Sequence, residues 1–527
     1  MSQLVYRGNL SVKSWPFLTD FYGRSVIVGG NDNNFNRSLT SDEDVDKDVG
    51  VPIAYYMHNV LPAPFGFNSV GYDLTIPGVG DITKVFSNIY LLRSNALSAS
   101  VNGPRFYFAP TSSGTCYIFI LGAVNWANVI TTIPITSSTQ VSTATVQGIS
   151  YIYFSGIGCY KWNSPTNTLI PVTLTALDPT QILGITAYQG YMVAYTSNIV
   201  FWSSTLDIDY TTNTIDFTPS LISGAGSIRP EGARGPITVV LPATFGLAIY
   251  TTANIVSAVY SGNSRYPFNF KEVVSSGGVS SNDYITYDAN TGNQYAYTTS
   301  GFQTVSATAT QTLFPELTDF LAGQELEDFD ETTLKFTSYV LTSPMKKKVT
   351  AVADRYLVIS YGISSLTHAI VYDMTQERYG KLKVAHTTCF EFQYLDPTQA
   401  DAPRRSVAFL KSDGSVYIMN PSVTNVNAKG VILFGKFQYV RSRLLTMEGF
   451  EMQNVFPGQV CNAYLWSAPT GGTIATANWT PMYDATQNNE TQRFYKCRQT
   501  AVNHSIMLIG GFAVASAVLT FHIAGRR

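Results

Sequence analysis

The feature that most constrains this chain is a two-strand unit that recurs along more than half of it. In ITAYQGYMVAYTSNIVFWSS (185–204) a strand, a turn and a second strand follow one another. Related units stand at 103–121, 146–163, 245–262, 283–306, 354–382 and 404–420. Their strands alternate or are wholly apolar and are rich in Tyr, Val, Ile and Phe. Their turns carry Gly, Asn, Asp or Ser, as hairpins require. A lone hairpin is marginally stable, so a chain built from them needs a way to stack them. Units recurring every roughly 40 to 70 residues suggest the blades of a β-propeller, where each small sheet buries its faces against its neighbours. The expectation is an all-β chain, a degenerate propeller of about six blades with an additional C-terminal β domain.

The flanks of the repeats set the domain boundaries. Residues 1–58 read as an irregular N-terminal arm with an acidic loop, SDEDVDKDVG (41–50). Its alternating Asp42, Asp44, Asp46 and Asp48 fail as a calcium loop: counted from Asp44, the Gly and Glu positions hold Val49 and Tyr55. The propeller is expected over 59–425, interrupted near 314–336. There Leu317, Phe320 and Leu321 have helical spacing between Pro315 and Gly323, and Glu325 to Glu331 reads as a solvated loop. Residues 426–527 form the C-terminal β-strand domain, with a strand pair expected in 435–453. The uncharged run Ile506 to Phe521 is too short to span a bilayer and breaks at Gly510-Gly511, so it reads as two buried strands rather than a membrane anchor.

Composition narrows the classes of function. Hydrophobic residues make up 45% of the 527, but charged residues only 13%, against about 25% in an ordinary soluble domain. Ser, Thr, Asn, Gln and Tyr must therefore carry much of the surface. A net charge of −2 argues against tight neutralisation of nucleic-acid phosphates. Cys116, Cys159, Cys389, Cys461 and Cys497 are odd in number and never form CxxC. They read as reduced and mostly buried, with neither a disulfide framework nor a zinc site. The N-terminus lacks the pattern of a signal peptide.

No constellation of reactive residues emerges. His58, His368, His386, His504 and His522 fit no metal or hydrolase spacing and read as strand or turn residues. Phosphate-loop patterns are absent. A propeller glycosidase needs paired carboxylates. Asp354, Asp373, Glu377 and Asp413 could stand at strand ends, although turn roles are commoner for such residues. SDGSVY only loosely resembles the Asp-box of sialidases. Lys346-Lys347-Lys348 and Arg404-Arg405 read as exposed turns, Arg526-Arg527 as a docking tail, and Tyr55-Tyr56 and Phe65 as exposed aromatics. No catalytic, cofactor or metal residue is assigned.

Three stretches resemble the tail hub or nozzle family of short-tailed phages, which includes the packaged-DNA stabilisation proteins and tail tubular protein B. They are NVLPAPFGFNSVGY (59–72), the hairpins at 182–204 and 244–262 with PFNFKEVVSSGGVSSNDYI after the second, and RFYKCRQTAVNHSIMLIGGFAVASAVLTFHIAG (493–525). Where that family has an Arg-Pro-Gly step, this chain has Val70-Gly71-Tyr72. The resemblance implies a structural virion protein, one of six in a homo-hexameric ring below the portal and adaptor proteins. Such a ring closes the DNA channel, retains the genome until ejection and meets tail fibres or spikes. Packaged DNA would pass without sequence-specific binding, and assembly would take place in the host cytoplasm. Two alternatives stay open. One is a carbohydrate-binding or glycoside-cleaving tail propeller that recognises the host surface. The other is an envelope-associated propeller scaffold, disfavoured by the missing signal peptide.

Overall fold

In the computed structural model the chain is described at 2–7, 20–21 and 24–25 and, with gaps, over 54–523. The longest spans outside this description are 8–19, 26–53, 74–88, 94–104, 314–324, 421–428 and 469–476. The acidic run at 41–50 and the helical spacing of Leu317, Phe320 and Leu321 therefore lie outside the described residues.

Each repeat unit forms the middle of a four-stranded antiparallel sheet. Five such sheets stand alone, and two more are embedded in larger sheets, giving seven blades among the described residues. Blade 1 covers 90–128, blade 2 covers 141–175, blade 3 covers 184–228 and blade 4 covers 237–272. Blade 5 covers 285–312, blade 6 covers 346–386, and blade 7 covers 388–420. The expected count of about six blades thus becomes seven, one for each hairpin unit. Blade 7 takes its fourth strand, Gly71–Asp73, from the other end of the propeller sequence: Tyr72 lies opposite Met419. The Val70-Gly71-Tyr72 step enters the strand that closes the ring.

The apolar strands have a simple explanation. Ile149–Phe154, Tyr191–Tyr195, Gly246–Thr251 and Tyr356–Gly362 are second strands of their blades, and every residue in them is buried. Neighbouring blades cover both faces, so alternation disappears. Shared cores run around the ring. Phe106 and Phe108 of blade 1 pack with Phe154 and Trp162 of blade 2, and blades 3, 4 and 5 share one cluster centred on Ile249 and Val256. Tyr107 and Phe119 of blade 1 meet Phe392 of blade 7, which completes the circle. Fully buried Tyr250 keeps its hydroxyl bonded, as burial favours. Tyr250 donates to Gln294 Oε1 at 2.7 Å across blades 4 and 5, and Gln294 Nε2 in turn donates to Pro242 O.

The C-terminal β domain has two sheets and recruits strands from the start of the chain. Ala54–His58 pairs with Gly430–Phe434, which continues to Asn503–Gly510 and Cys461–Ala468. The other sheet orders Ala513–Ile523, Leu445–Asn454 and Gln492–Ala501, and Ser2–Arg7 pairs with Ala513–Ile523. Two expectations are corrected here. Residues 2–7 and 54–58 are strands of this domain, because their hydrogen-bond partners lie hundreds of residues downstream. The 435–453 pair is two strands in different sheets, Phe437–Gln438 and Leu445–Asn454. The run from Ile506 to Phe521 does form two strands, parted at Gly510. That glycine has φ +137°, and a Cβ there would lie 2.1 Å from Val460 O.

Blade 6 and the β domain belong to one eleven-stranded sheet. The join is the hairpin Val60–Ala63 and Gly66–Ser69. One arm meets Arg378–His386 of blade 6 at Lys381, and the other meets Ala513–Ile523. Gly380 makes the approach possible, since a Cβ there would lie 2.2 Å from Val60 O. Residues 60–69, expected in the propeller, bridge the two bodies instead. Among the described residues no helix is long and apolar enough to cross a membrane.

Candidate functional site

The segment expected as a solvated acidic loop is a strand. Glu325–Asp330 pairs with Lys335–Val340, and the turn between them is fixed by Asp330, which accepts from the Thr332 and Thr333 amides and from the Thr333 hydroxyl. The charges misled because their partners are remote in sequence. One recognisable signal was present: D-E-T-T between Phe329 and Phe336 is an Asx-turn sequence flanked by aromatics.

This hairpin docks where blade 6 meets the β domain. Phe329 is fully buried, with its ring centroid 5.9 Å from Tyr56 and 5.1 Å from Phe336. It joins a core that includes Val431, Leu433 and Met507 of the β domain. Tyr56 is therefore buried, not exposed, and the Lys381 ammonium lies 4.7 Å from its ring centroid.

Carboxylates of the hairpin meet bases on the other two elements. Glu331 Oε1 is 2.8 Å from His58 Nε2, and His58 Nδ1 is 3.0 Å from the Tyr56 hydroxyl. With Nε2–H donating to Glu331, Nδ1 accepts from the tyrosine, so a neutral imidazole satisfies both bonds. Asp328 Oδ1 is 2.9 Å from Lys383 Nζ and 3.6 Å from His368 Nε2. The second distance is too long for a hydrogen bond. Burial pulls the His58 pKa below its ordinary value despite the Glu331 carboxylate. Burial also pulls His368 down to about 4. Burial alone would raise Asp328, but His368 and Lys383 reverse the sign and hold it below the carboxylate range. Glu331 is likewise lowered, since His58 and Lys383 outweigh its burial. The cluster ties three elements together.

Asn59 completes the junction. At φ +52° its Oδ1 accepts from the Lys383 amide at 2.9 Å, and its Nδ2 donates to Lys429 O at 3.1 Å. One side chain thereby bonds blade 6 to the start of the β domain.

The other residues singled out in the sequence fall elsewhere. All five histidines lie in strands. His386 is buried, with Nδ1 2.7 Å from Val384 O and Nε2 2.8 Å from Ser360 Oγ, and His504 Nδ1 is 2.8 Å from Ser467 Oγ. Among the proposed glycosidase carboxylates, Asp373 is buried against Arg355 at 2.9 Å and Asp413 is exposed in a turn of blade 7. Asp354 and Glu377 lie outside the described residues, as do Phe65, Arg526 and Arg527. Arg404 and Arg405 are in the strand Pro403–Leu410, not a turn, and Arg405 Nε is 3.5 Å from Glu391. Lys346, Lys347 and Lys348 open the innermost strand of blade 6 and line the propeller axis. The five cysteines are free; Cys116, Cys159, Cys389 and Cys461 are buried and Cys497 is half-buried. Burial pushes Cys116, Cys159 and Cys461 up to about 12, so these thiols are inert. Among the described residues no group of three or more His, Cys, Asp or Glu side chains could hold a metal ion.

No family model and no curated protein matches the chain. Solved structures similar to it include an extracellular domain of a one-component system from B. thetaiotaomicron, at 11% identity and TM-score 0.42, covering 84% of this chain and 57% of that one. The WD40 β-propeller domain of Doa1 is similar at 8% identity and TM-score 0.37, covering 69% of this chain and 100% of that one. YCF48 bound to D1 peptide is similar at 9% identity and TM-score 0.35, covering 68% and 97%. This chain thus spans little more than half of the first of these proteins. With such low scores and identities, its own sheet order is what makes it a β-propeller with an additional β domain.

Proposed function

We propose that this chain is a structural subunit of a short-tailed phage tail, a hub or nozzle protein that forms a six-fold ring below portal and adaptor. In this reading the ring closes the DNA channel, holds the packaged genome until ejection and offers its outer face to fibres or spikes. The chain is assigned no catalysis and no cofactor. The observation that carries the reading is the unbroken sheet from blade 6 through residues 60–69 into the β domain. Strand pairing across the join restrains bending between two bodies, which suits a wall that must bear the pressure of packaged DNA. The low charged fraction of 13% supports the same reading, because few ionic contacts depend on the surrounding salt.

The test is co-sedimentation with DNA-filled, tail-less heads that already carry adaptor. Copies bound per head and nuclease-accessible DNA are the readouts. Ring stoichiometry with loss of nuclease access is the expected result. No binding to heads, with the same preparation retaining a glycan, would overturn the reading in favour of the carbohydrate-recognising alternative.

A further inference from the structure

The propeller axis encloses a cavity of about 880 Å³, within the size range of small-molecule sites. Its wall comes mainly from the first strands of blades 2 to 6 and the loops entering them, with Tyr90 of blade 1 and Thr387 before blade 7. At one side the Asn282 amide donates to Gln140 Oε1 at 3.2 Å, a bond between the entries to blades 5 and 2. Asn282 Oδ1 is buried with no hydrogen-bond partner among the described residues.

The charge in this wall is one-sided. Lys346, Lys347 and Lys348 all line it, and among the described residues the only carboxylate in the lining is Asp283. The lining therefore carries a net charge of plus two in a chain whose total is −2. His386, at the rim, adds no positive charge at neutral pH, because burial holds its pKa to about 4. Lys348 Nζ is 3.6 Å from Asp283 Oδ1, and its side chain is only 17% exposed. Lys347 is more buried still, its ammonium 4.7 Å from the Tyr297 ring centroid and 5.8 Å from that of Tyr284. Lys346 is exposed and Lys348 half-buried, and like charges set side by side repel one another unless something of opposite sign offsets them.

We propose that the axial cavity is a binding site for a small polyanion, its acidic groups held by Lys346 and Lys348. Carboxylate and phosphate share the chemistry that the two ammonium groups recognise. The three-lysine run, which in sequence resembles an exposed turn, is on this account the anion-recognising element of the propeller.

Titration calorimetry on the full chain tests the site, with citrate as the carboxylate probe, glucose 6-phosphate as the phosphate probe and glucose as the neutral control. At least one acidic probe binds and glucose does not; which acidic probe binds identifies the group. Lys346→Gln with Lys348→Gln weakens binding at least about tenfold, whereas Lys335→Gln, on the exposed face of the 325–340 hairpin, leaves it unchanged. Asp283→Asn removes the competing carboxylate and tightens binding, a gain that damage to the fold would not produce. Failure of both acidic probes to bind the wild-type chain would overturn the proposal, as would affinity unchanged by the double lysine substitution. Head binding is a separate readout, so either proposal can fail without the other.

Discussion

The Lys383 ammonium lies 2.9 Å from Asp328 Oδ1 and 3.1 Å from the carbonyl of Phe329. One side chain of blade 6 thus grips the docked hairpin by both a charge and a backbone oxygen. Neutralising the carboxylate by Asp328→Asn should loosen the hairpin by about 1.5–3 kcal/mol, the range for bonds to charged groups. Hydrogen exchange across 325–340 is the measurement. Protection unchanged from wild type would show that the ion pair contributes nothing to docking.

Removing the aromatic anchor should cost more. Phe329→Ala deletes a fully buried ring between Tyr56 and Phe336, and such truncations destabilise by about 3–5 kcal/mol. The loss should appear as protease cleavage within the hairpin at concentrations that leave the wild type intact. Equal resistance in both proteins would argue against the docked position.

Acidification should weaken the same junction. His368 has a folded pKa of about 4, below the value near 6.5 that it takes in the unfolded chain. The unfolded state therefore takes up its proton first, and this contribution, complete above pH 6.5, is lost as the pH falls through about 4. His58 is shifted in the same direction. Asp328 and Glu331, also lowered, keep their contribution above their unfolded values and lose it as the pH falls through the folded ones. All four groups thus act in one sense. For His368 the total is on the order of 3 kcal/mol. Melting temperature against pH should flatten between 6.5 and 4 in His368→Gln, and a slope identical to wild type would contradict the assignment.

Gly380 tests the join between the two bodies. Gly380→Val places side-chain atoms against the Val60 carbonyl, which a Cβ would already approach to 2.2 Å. Overpacking of this kind costs about 1–3 kcal/mol. Calorimetry should show one cooperative transition becoming two as propeller and β domain melt separately. A single transition at the wild-type temperature would mean that the strands part and re-form at no cost.

What the sequence made legible was local. The hairpins at 185–204 and 245–262 stood out because Tyr191–Tyr195 and Gly246–Thr251 are buried on both faces and so read as dense apolar runs. Outer strands such as Ala127–Asn128 and Thr310–Thr312 are short, polar and mostly exposed, and they leave no such mark. The expectation of about six blades fell one short of the seven hairpin units, whose spacing is irregular, and Gly71–Asp73 carries no signal of a partner at Val416–Asn420. The same non-locality hid both candidate sites. Glu325 to Glu331 looked solvated because nothing nearby in sequence could pair with it, while His58, His368 and Lys383 come from two other elements. Lys346 to Lys348 looked like a turn because three like charges erase the alternation of an inner strand.

Closure of the ring by Gly71–Asp73 also dictates when the ring can exist. Tyr72 and Met419, the paired residues, are 347 positions apart. During synthesis the early strand emerges first and waits unpaired until almost the whole propeller has been translated. Contacts this distant in sequence form slowly, and chains waiting for them expose sheet edges to one another. A chain cut short before residue 416 has the closing strand but nothing for it to close, so the ring itself reports that its translation has run past blade 7.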